Sequence, residues 1–331
     1  MPKPCQQRPM IDDCVAQFEA LRQGTVHFHA LSAGHYPGKP IPRGILPGLS
    51  GIGWVEGRHR HGWHTGLHCN EGVEISFLER GASVFQSSGV RQLIGPGTLT
   101  MTAPWHEHRH GDPTISHGRL HWVIIDVGVR TTSSRGRWRW PSWLSLQAND
   151  LTDLNRRLMR EPSMIRPASG EIAAVFSSLS AQLEYPGKRR WSHLAVDINR
   201  LLLCVLELLH GEVRSLPVGN TDAAAVFLRN LAADPAVLAQ PWTTVSMAAR
   251  CRLGTTKFTA DCKAVTNESP MRYLRNCRLE VAALRLRENP RVDLTRLALD
   301  CGFSSAQFFS TCFKQRFDAS PGRYRERFAA R

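Results

Sequence analysis

The 331-residue chain has no apolar run approaching the twenty residues that span a bilayer; the richest, residues 201–209, contains Glu207 and reads as a buried helix. Met1-Pro2-Lys3-Pro4-Cys5 leads into polar residues, so no signal peptide is expected. The nine cysteines are odd in number and lack CxxC spacing, and they read as buried thiols of a reducing cytoplasm. No phosphate-binding glycine loop, nucleophile elbow or paired catalytic carboxylates stand out, so no enzymatic activity and no cofactor are expected. Acid is scarce. Against 42 Lys and Arg there are 28 Asp and Glu, giving a formal charge of +14 that suits a polyanionic partner. No basic amphipathic anchor accompanies that charge, which argues against a membrane.

What is present is a duplication near the end of the chain. Ala248-Ala249-Arg250-Cys251 aligns with Ala298-Leu299-Asp300-Cys301 at an offset of fifty, while Phe258, Lys263, Ser269 and Tyr273 align with Phe309, Lys314, Ser320 and Tyr324 at fifty-one. One insertion at a turn, with both flanks in register, is the pattern of a repeated helix–turn–helix. The short helices are expected over 245–250 and 294–300. The turns are Arg252-Leu253-Gly254 and Gly302-Phe303-Ser304, with Gly302 suited to positive φ and Arg252 less so. Thr255-Thr256 and Ser304-Ser305 are candidate N-caps. Phe258 with Cys262, and Phe309 with Phe313, form buried i,i+4 pairs. Between the units, Ser269-Pro270 opens and Asn289-Pro290 closes one long helix of roughly 26 Å, of the order of the ~34 Å of a DNA turn, so two recognition helices on one rod are expected to reach successive major grooves.

Residues 222–331 resemble the DNA-binding domain of the AraC/XylS family of bacterial transcription regulators. The resemblance rests on Val245-Ser246-Met247-Ala248-Ala249, Ser269-Pro270-Met271-Arg272-Tyr273-Leu274, Arg278-Leu279, and Ala298-Leu299-Asp300-Cys301-Gly302-Phe303-Ser304-Ser305 followed by Phe309, Phe313-Lys314 and Phe317. Asn267 and Asp318 stand where the family has glycine, and both tolerate left-handed geometry. The resemblance implies double-stranded DNA as partner. It places the contacts on Thr255, Thr256, Lys257, Thr259, Ala260 and Lys263 of one unit and on Ser305, Ala306, Gln307, Ser310, Thr311 and Lys314 of the other. Gln307 is the best reader of adenine among them. Eighteen basic against ten acidic residues in this region leave a net +8. Arg272, Arg275, Arg278, Arg285, Arg287, Arg323, Arg325 and Arg327 are accordingly expected on phosphate. A bundle whose repeats serve packing alone leaves that charge unexplained.

The first half has a different texture. Short runs rich in β-branched and aromatic residues (74–78, 83–86, 91–94, 98–102 and 120–127) are separated by glycines, as in an antiparallel sandwich or barrel. Glu74 separated by six residues from Gly81, then Gly95-Pro96-Gly97 and Pro104-Trp105-His106-Glu107-His108, resemble a cupin-type jelly roll. Nine of the fourteen histidines lie here: His59, His61, His64, His68, His106, His108, His110, His117 and His121. Metal-binding cupins imply that His64, His68, Glu74 and His108 form a ligand set. The HxHxxxE spacing of such sites is missing, however, and no metal is expected. The same residues also read as a pocket for a small polar effector such as a sugar, lined by Trp63, His64, His68, Glu74, Trp105, His106 and His108, or as partly exposed strand and loop histidines.

A basic connector holds Trp138, Trp140 and Trp143, for which packing against the sandwich is the leading reading. Helices are expected over 149–160, 170–184 and 191–210, the last with an apolar stripe wide enough for a homodimer contact. The expected protein therefore combines α and β domains. Residues 1–130 form a cupin-like sandwich or jelly-roll sensor, 131–210 a connector and helical dimerisation layer, 211–221 a linker, and 222–331 an all-α tandem helix–turn–helix domain. Such a chain is a cytoplasmic, ligand-responsive DNA-binding regulator, by family default an activator touching RNA polymerase. The alternative is a metal-dependent cupin enzyme with an accessory DNA-binding domain.

Overall fold

The structure is a computed structural model describing residues 14–57, 64–111, 116–130, 138–211 and 220–329. Helix α1 (Val15–Arg22) precedes the strands β1 (Val26–Ser32), β2 (Lys39–Pro40), β3 (Leu49–Gly57), β4 (Gly72–Ser87), β5 (Val90–Ile94), β6 (Thr98–Thr102), β7 (His108–His110) and β8 (Ser116–Asp126). Helix α2 (Ala148–Arg160), strand β9 (Ser163–Pro167) and helices α3 (Gly170–Glu184) and α4 (Arg190–His210) follow. The sheet order is β2-β1-β3-β8-β4-β6-β9, with β5 and β7 paired to β4. All pairings are antiparallel except β1 with β2.

The two runs expected at 74–78 and 83–86 are one strand. β4 is sixteen residues long. Its first part pairs with β6 through Glu74–Leu78 and its last part with β5 through Ser83–Ser87. Register against β8 shifts between Leu78 and Arg80 and again between Arg80 and Ala82, where Gly81 takes φ 82°. A bend at a residue without Cβ lets one strand serve both pairings. Alternation then sorts its side chains. Val73, Ile75 and Phe77 join Leu99, Met101, Val123 and Ile125 in a core completed by Phe176, Leu179, Leu201 and Val205 of α3 and α4. Glu74, Ser76 and Leu78 lie on the opposite face.

Strands β1, β3 and β9 fall outside the runs picked out above. In β3 the cause is Gly51, Gly53 and Gly57, which break the apolar pattern. Packing requires Gly53: a Cβ there lies 2.5 Å from Trp122 Cζ2 and 2.6 Å from the Ala30 Cβ. The connector tryptophans pack on the sheet–helix core, Trp140 donating to Asn155 Oδ1 at 2.8 Å and Trp143 to the Pro47 carbonyl at 2.9 Å.

Helices α5 (Asn220–Ala233), α6 (Pro235–Leu238), α7 (Thr244–Arg250), α8 (Thr255–Thr266), α9 (Pro270–Glu288), α10 (Leu294–Asp300), α11 (Ala306–Phe317) and α12 (Pro321–Ala329) form the rest. The pairs α7–α8 and α10–α11 flank α9, whose nineteen residues make a rod of about 28 Å. Phe258, Cys262, Phe309 and Phe313 are wholly buried in one core. Both turns pass through positive φ, 80° at Gly302 and 56° at Arg252, and Asn267 and Asp318 end α8 and α11 in the left-handed region. Two capping expectations are corrected. Helix α8 is capped by Gly254 without a side-chain bond, leaving Thr255 and Thr256 inside its first turn. Ser269 sits at the N-cap of α9 but makes no capping bond; Pro270 alone marks that start. Ser305 does cap α11, accepting from the Phe308 N–H at 3.2 Å.

The phosphate role expected of Arg278 is also corrected. Its guanidinium donates to the carbonyls of Leu238 at 3.0 Å, Gly302 at 2.7 Å and Gln240 at 2.5 Å, tying α9 to α6 and to the second turn. Arg272 bonds Glu268, Arg287 bonds the Tyr324 hydroxyl, and Arg325 bonds the Val292 carbonyl, so these three are engaged internally as well.

The helical region rests on the sheet. Val84 and Leu93 belong to the core of the α5–α12 region. A Cβ on Gly95 lies 2.7 Å from the Arg229 Cα, so the turn before β6 meets the backbone of α5 directly. Arg229 Nη1 donates to the Gly97 carbonyl at 3.3 Å, and Asn267 Nδ2 donates to Glu56 Oε1 at 3.4 Å.

Two stability predictions follow from this packing. Gly53→Val is expected to lower unfolding free energy by about 1–3 kcal/mol through overpacking against Trp122, read by urea denaturation. Arg278→Ala, leaving the part-buried carbonyls of Leu238 and Gly302 without this donor, is expected to cost about 1–3 kcal/mol. Arg278→Ala that unfolds at the wild-type urea midpoint contradicts the tying role.

Candidate nucleic-acid interface and sensor cavity

The outer faces of α8 and α11 are built by the same periodicity that buries Phe258 and Phe309. On α8, Thr255, Thr256, Lys257, Ala260 and Lys263 are exposed and Thr259 is half-buried. On α11, Gln307, Thr311 and Lys314 are exposed, while Ser305, Ala306 and Ser310 are half-buried. Lys257 pairs with Asp261 one turn on. Lys263 and Lys314 make no ion pair among the described residues and close each face with a cation. Each face thus offers short hydroxyl and methyl groups, one carboxamide at Gln307, and flanking ammonium groups, a surface suited to base edges and backbone phosphates.

A cavity of about 60 Å³ lies within the first half, between the sheet and α1. Val26, Phe28, Val55, Leu120, Trp122 and Ile124 supply its apolar wall; Tyr36, His68, Asn70 and Glu74 supply the polar end. The apolar wall follows from alternation: Leu120, Trp122 and Ile124 share one face of β8 while Val123 and Ile125 face the helices. Glu74 is buried and held by donors. Asn70 Nδ2 bonds its Oε2, and Ser76 donates to Oε1 at 2.6 Å. Tyr36 donates to Asn70 Oδ1 at 3.1 Å. Burial alone raises the Glu74 carboxyl, but the His108 imidazole beside it, 3.1 Å from Oε2, reverses this and holds it well below the usual carboxylate range. His110 is fully buried and its imidazole is pushed down to about 3 by desolvation, partly opposed by Glu74. One donor atom each from His68, Glu74 and His108 lies within 4.8 Å of the others, a spacing from which side-chain rotation brings three ligands onto one metal ion.

Only part of the expected pocket is assembled. His68 and Glu74 line the cavity and His108 adjoins them. His64 is exposed, with Nδ1 on the Thr65 carbonyl, so it joins neither the cavity nor the expected ligand set. His106 lies beyond the strand and bonds the hydroxyls of Ser87 and Ser88. Trp105 turns away, donating to the Val129 carbonyl at 2.9 Å. The cause is local: with φ 61°, Trp105 breaks the strand alternation that carries His108 and His110 inward together. Trp63, with His59 and His61, lies outside the described residues. Tyr36, Asn70 and Trp122 were not singled out from sequence. Trp122 was within reach through its alternation with Leu120 and Ile124; Tyr36 is brought in only by tertiary folding.

Comparison with known proteins bears on the helical region. Residues 247–327 match a family of helix-turn-helix domains. The chain is similar to the HTH-type transcriptional regulator AlkR of Acinetobacter baylyi, 34% identical over 160 residues that cover 47% of this chain and 50% of that protein. It is 32% identical over 136 residues to a protein of Streptomyces lividans named as an AraC-like transcription regulator, covering 40% of this chain and 43% of that one. To the HTH-type transcriptional activator RhaS of Citrobacter koseri it is 25% identical over 297 residues, 88% of this chain and 94% of that protein. With the first two the match spans half or less of the relative's length. Two helix pairs carried on one long helix thus make the matched region similar to the helix-turn-helix domains of proteins named as transcription regulators, one of them AraC-like.

Proposed function

We propose that the chain is a ligand-responsive regulator that grips two successive major grooves with α8 and α11. The observation that carries this reading is the repeat itself: two helix pairs in register, each burying an i,i+4 pair and each presenting a short, polar, cation-flanked face, set on one rigid α9. Residues 222–331 then form the tandem DNA-binding domain, joined by a linker at 211–221 to the connector and helical layer of 131–210 and the cupin-like sensor of 1–130. The chain works in the cytoplasm as an activator, the sign that the RhaS relative's name carries, with RNA polymerase as a further partner.

The effector is a small polar molecule seated in the cavity against Tyr36, Asn70 and Glu74. Its binding energy must differ between two arrangements of the domains if it is to switch anything. Strand β4 supports a route: it carries Glu74 in the cavity wall and Val84 in the core shared with α5, α8 and α9. The subunits pair through α4, which leaves Val196 65% and Leu203 47% exposed two turns apart on one face.

Gel retardation of promoter fragments by the full chain tests the central reading; no shift at low salt with excess protein sinks it. Gln307→Ala is expected to relax preference at one base position by about 1–3 kcal/mol. Lys314→Ala is expected to weaken all sequences alike and lower the slope of log K against log salt by about 1. For the dimer, light scattering at micromolar concentration is expected to give twice the 37.1 kDa chain mass, and Leu203→Arg to give one chain. A monomeric wild type removes that part of the proposal.

A further inference from the structure

We propose that Phe308 is a specificity-determining residue of α11, its ring packing against the C5-methyl group of a thymine in the groove this helix enters, a role that rests on α11 being the recognition helix of the second unit.

Of the large apolar side chains exposed among the described residues, Phe308 alone lies on α8 or α11. Its exposure is 49%, although an aromatic ring gains much from burial. Phe308 stands in the first turn of α11, where its backbone N–H donates to the Ser305 hydroxyl at 3.2 Å. Residues at that end of a recognition helix are the ones that meet base edges. At about 100° per residue, the ring lies about 60° round the helix from Thr311 and about 100° from Gln307. It therefore borders the exposed polar face and stands apart from the buried face that Phe309 and Phe313 form.

The ring is braced from beneath. Its centroid is 6.2 Å from that of Phe303, with the planes tilted by 58°, and Phe303 is itself buried, packing edge-on against Phe309 at 5.2 Å. A side chain held on one side loses little freedom when its free side is covered. What covers it in a major groove follows from the chemistry of the bases. Their edges there present hydrogen-bond donors and acceptors and a single apolar group, the thymine C5-methyl. Laying a ring over a donor or acceptor leaves that polar group unpaired, so the methyl is the group selected.

The two units differ at this position. At the offset of fifty-one that matches Phe258 with Phe309, Lys257 matches Phe308 and Asp261 matches Cys312. Lys257 and Asp261 form an ion pair across one turn of α8. On α11 both members are replaced, by an exposed ring and a buried thiol. The buried framework of the repeat is kept while the flank of the second helix changes from charged to apolar. Phe308 thus adds to the α11 groove a methyl contact for which Lys257 offers no counterpart in the α8 groove.

For the test, full-length protein enriches binding sites from a duplex library with a randomised centre, and the enriched duplex serves as probe. Each thymine is replaced in turn by deoxyuracil, which pairs identically and lacks only the methyl. Wild type is expected to lose about 3- to 10-fold in affinity at a thymine under α11. Phe308→Ala is expected to bind the thymine duplex about 3- to 10-fold more weakly than wild type does, and to bind the deoxyuracil duplex of that position no more weakly still. Phe308→Leu, which keeps an apolar side chain, is expected to retain part of the methyl dependence, and Lys257→Ala all of it. Melting of each variant checks its fold, and the deoxyuracil series on wild type needs no variant. Should every deoxyuracil duplex bind wild type as tightly as its thymine parent, or should folded Phe308→Ala keep every methyl dependence of wild type, the contact is overturned and the DNA-binding reading stands. A chain that enriches no duplex sinks that reading, and the role of Phe308 with it.

Discussion

Side-chain alternation along β4 is the constraint on which both halves of the molecule depend. One strand places Val73, Ile75 and Phe77 against the helical layer, sends Glu74 and Ser76 to the other side, and after the bend at Gly81 delivers Val84 to the core beneath α5, α8 and α9. A period of two leaves no freedom here, because a slip of one residue puts Glu74 into the apolar core and Ile75 into the polar cluster. The buried carboxylate and the docking of the DNA-binding region are thus consequences of one register. A sixteen-residue strand buried on both sides also transmits displacement with little internal give, since close-packed interiors deform poorly.

Within the helical region the corresponding constraint is α9. Tyr273, Leu274, Cys277 and Leu286 are buried in the core that holds Phe258 and Phe309, so both helix pairs are anchored to the same rod. The two pairs differ in their turns. Gly302 meets the Ala239 carbonyl oxygen and the Arg278 guanidinium so closely that a Cβ has no room, whereas Arg252 takes positive φ at the surface. The second turn is locked by Arg278, and among the described residues the first has no corresponding arginine tie. An arginine that a charge count assigns to phosphate is here an internal tie, which shows how poorly net charge locates individual contacts: +8 over 110 residues says that the surface attracts polyanions, not which guanidinium touches one.

The helices expected from the sequence were legible almost to the residue, whereas α1, α5, α6 and α12 were not picked out. The runs expected at 170–184 and 294–300 match α3 and α10, and 149–160 and 191–210 each differ from α2 and α4 by a single residue. Their signals are local: i,i+4 apolar spacing, Pro at N1, Gly or Asn at the end. The sheet was half legible. β5, β6 and β8 follow from apolar runs; β1 and β3 were hidden by histidines and glycines, and β9 is a short strand whose partner β6 lies more than sixty residues earlier.

The sequence by itself determined the repeat, the buried pairs and the exposed outer faces of α8 and α11, because a helix encodes its inner and outer sides within four residues. It also determined which residue types crowd the first half. Only the tertiary structure decided that His68, Glu74 and His108 meet while His64, Trp105 and His106 do not, and that Tyr36 and Trp122 join the cavity. The physical reason is that a β-sheet pairs residues tens of positions apart through backbone hydrogen bonds common to every residue, so which side chains converge is settled by strand register and by the bend at Gly81, neither of which leaves a mark within a short window of sequence.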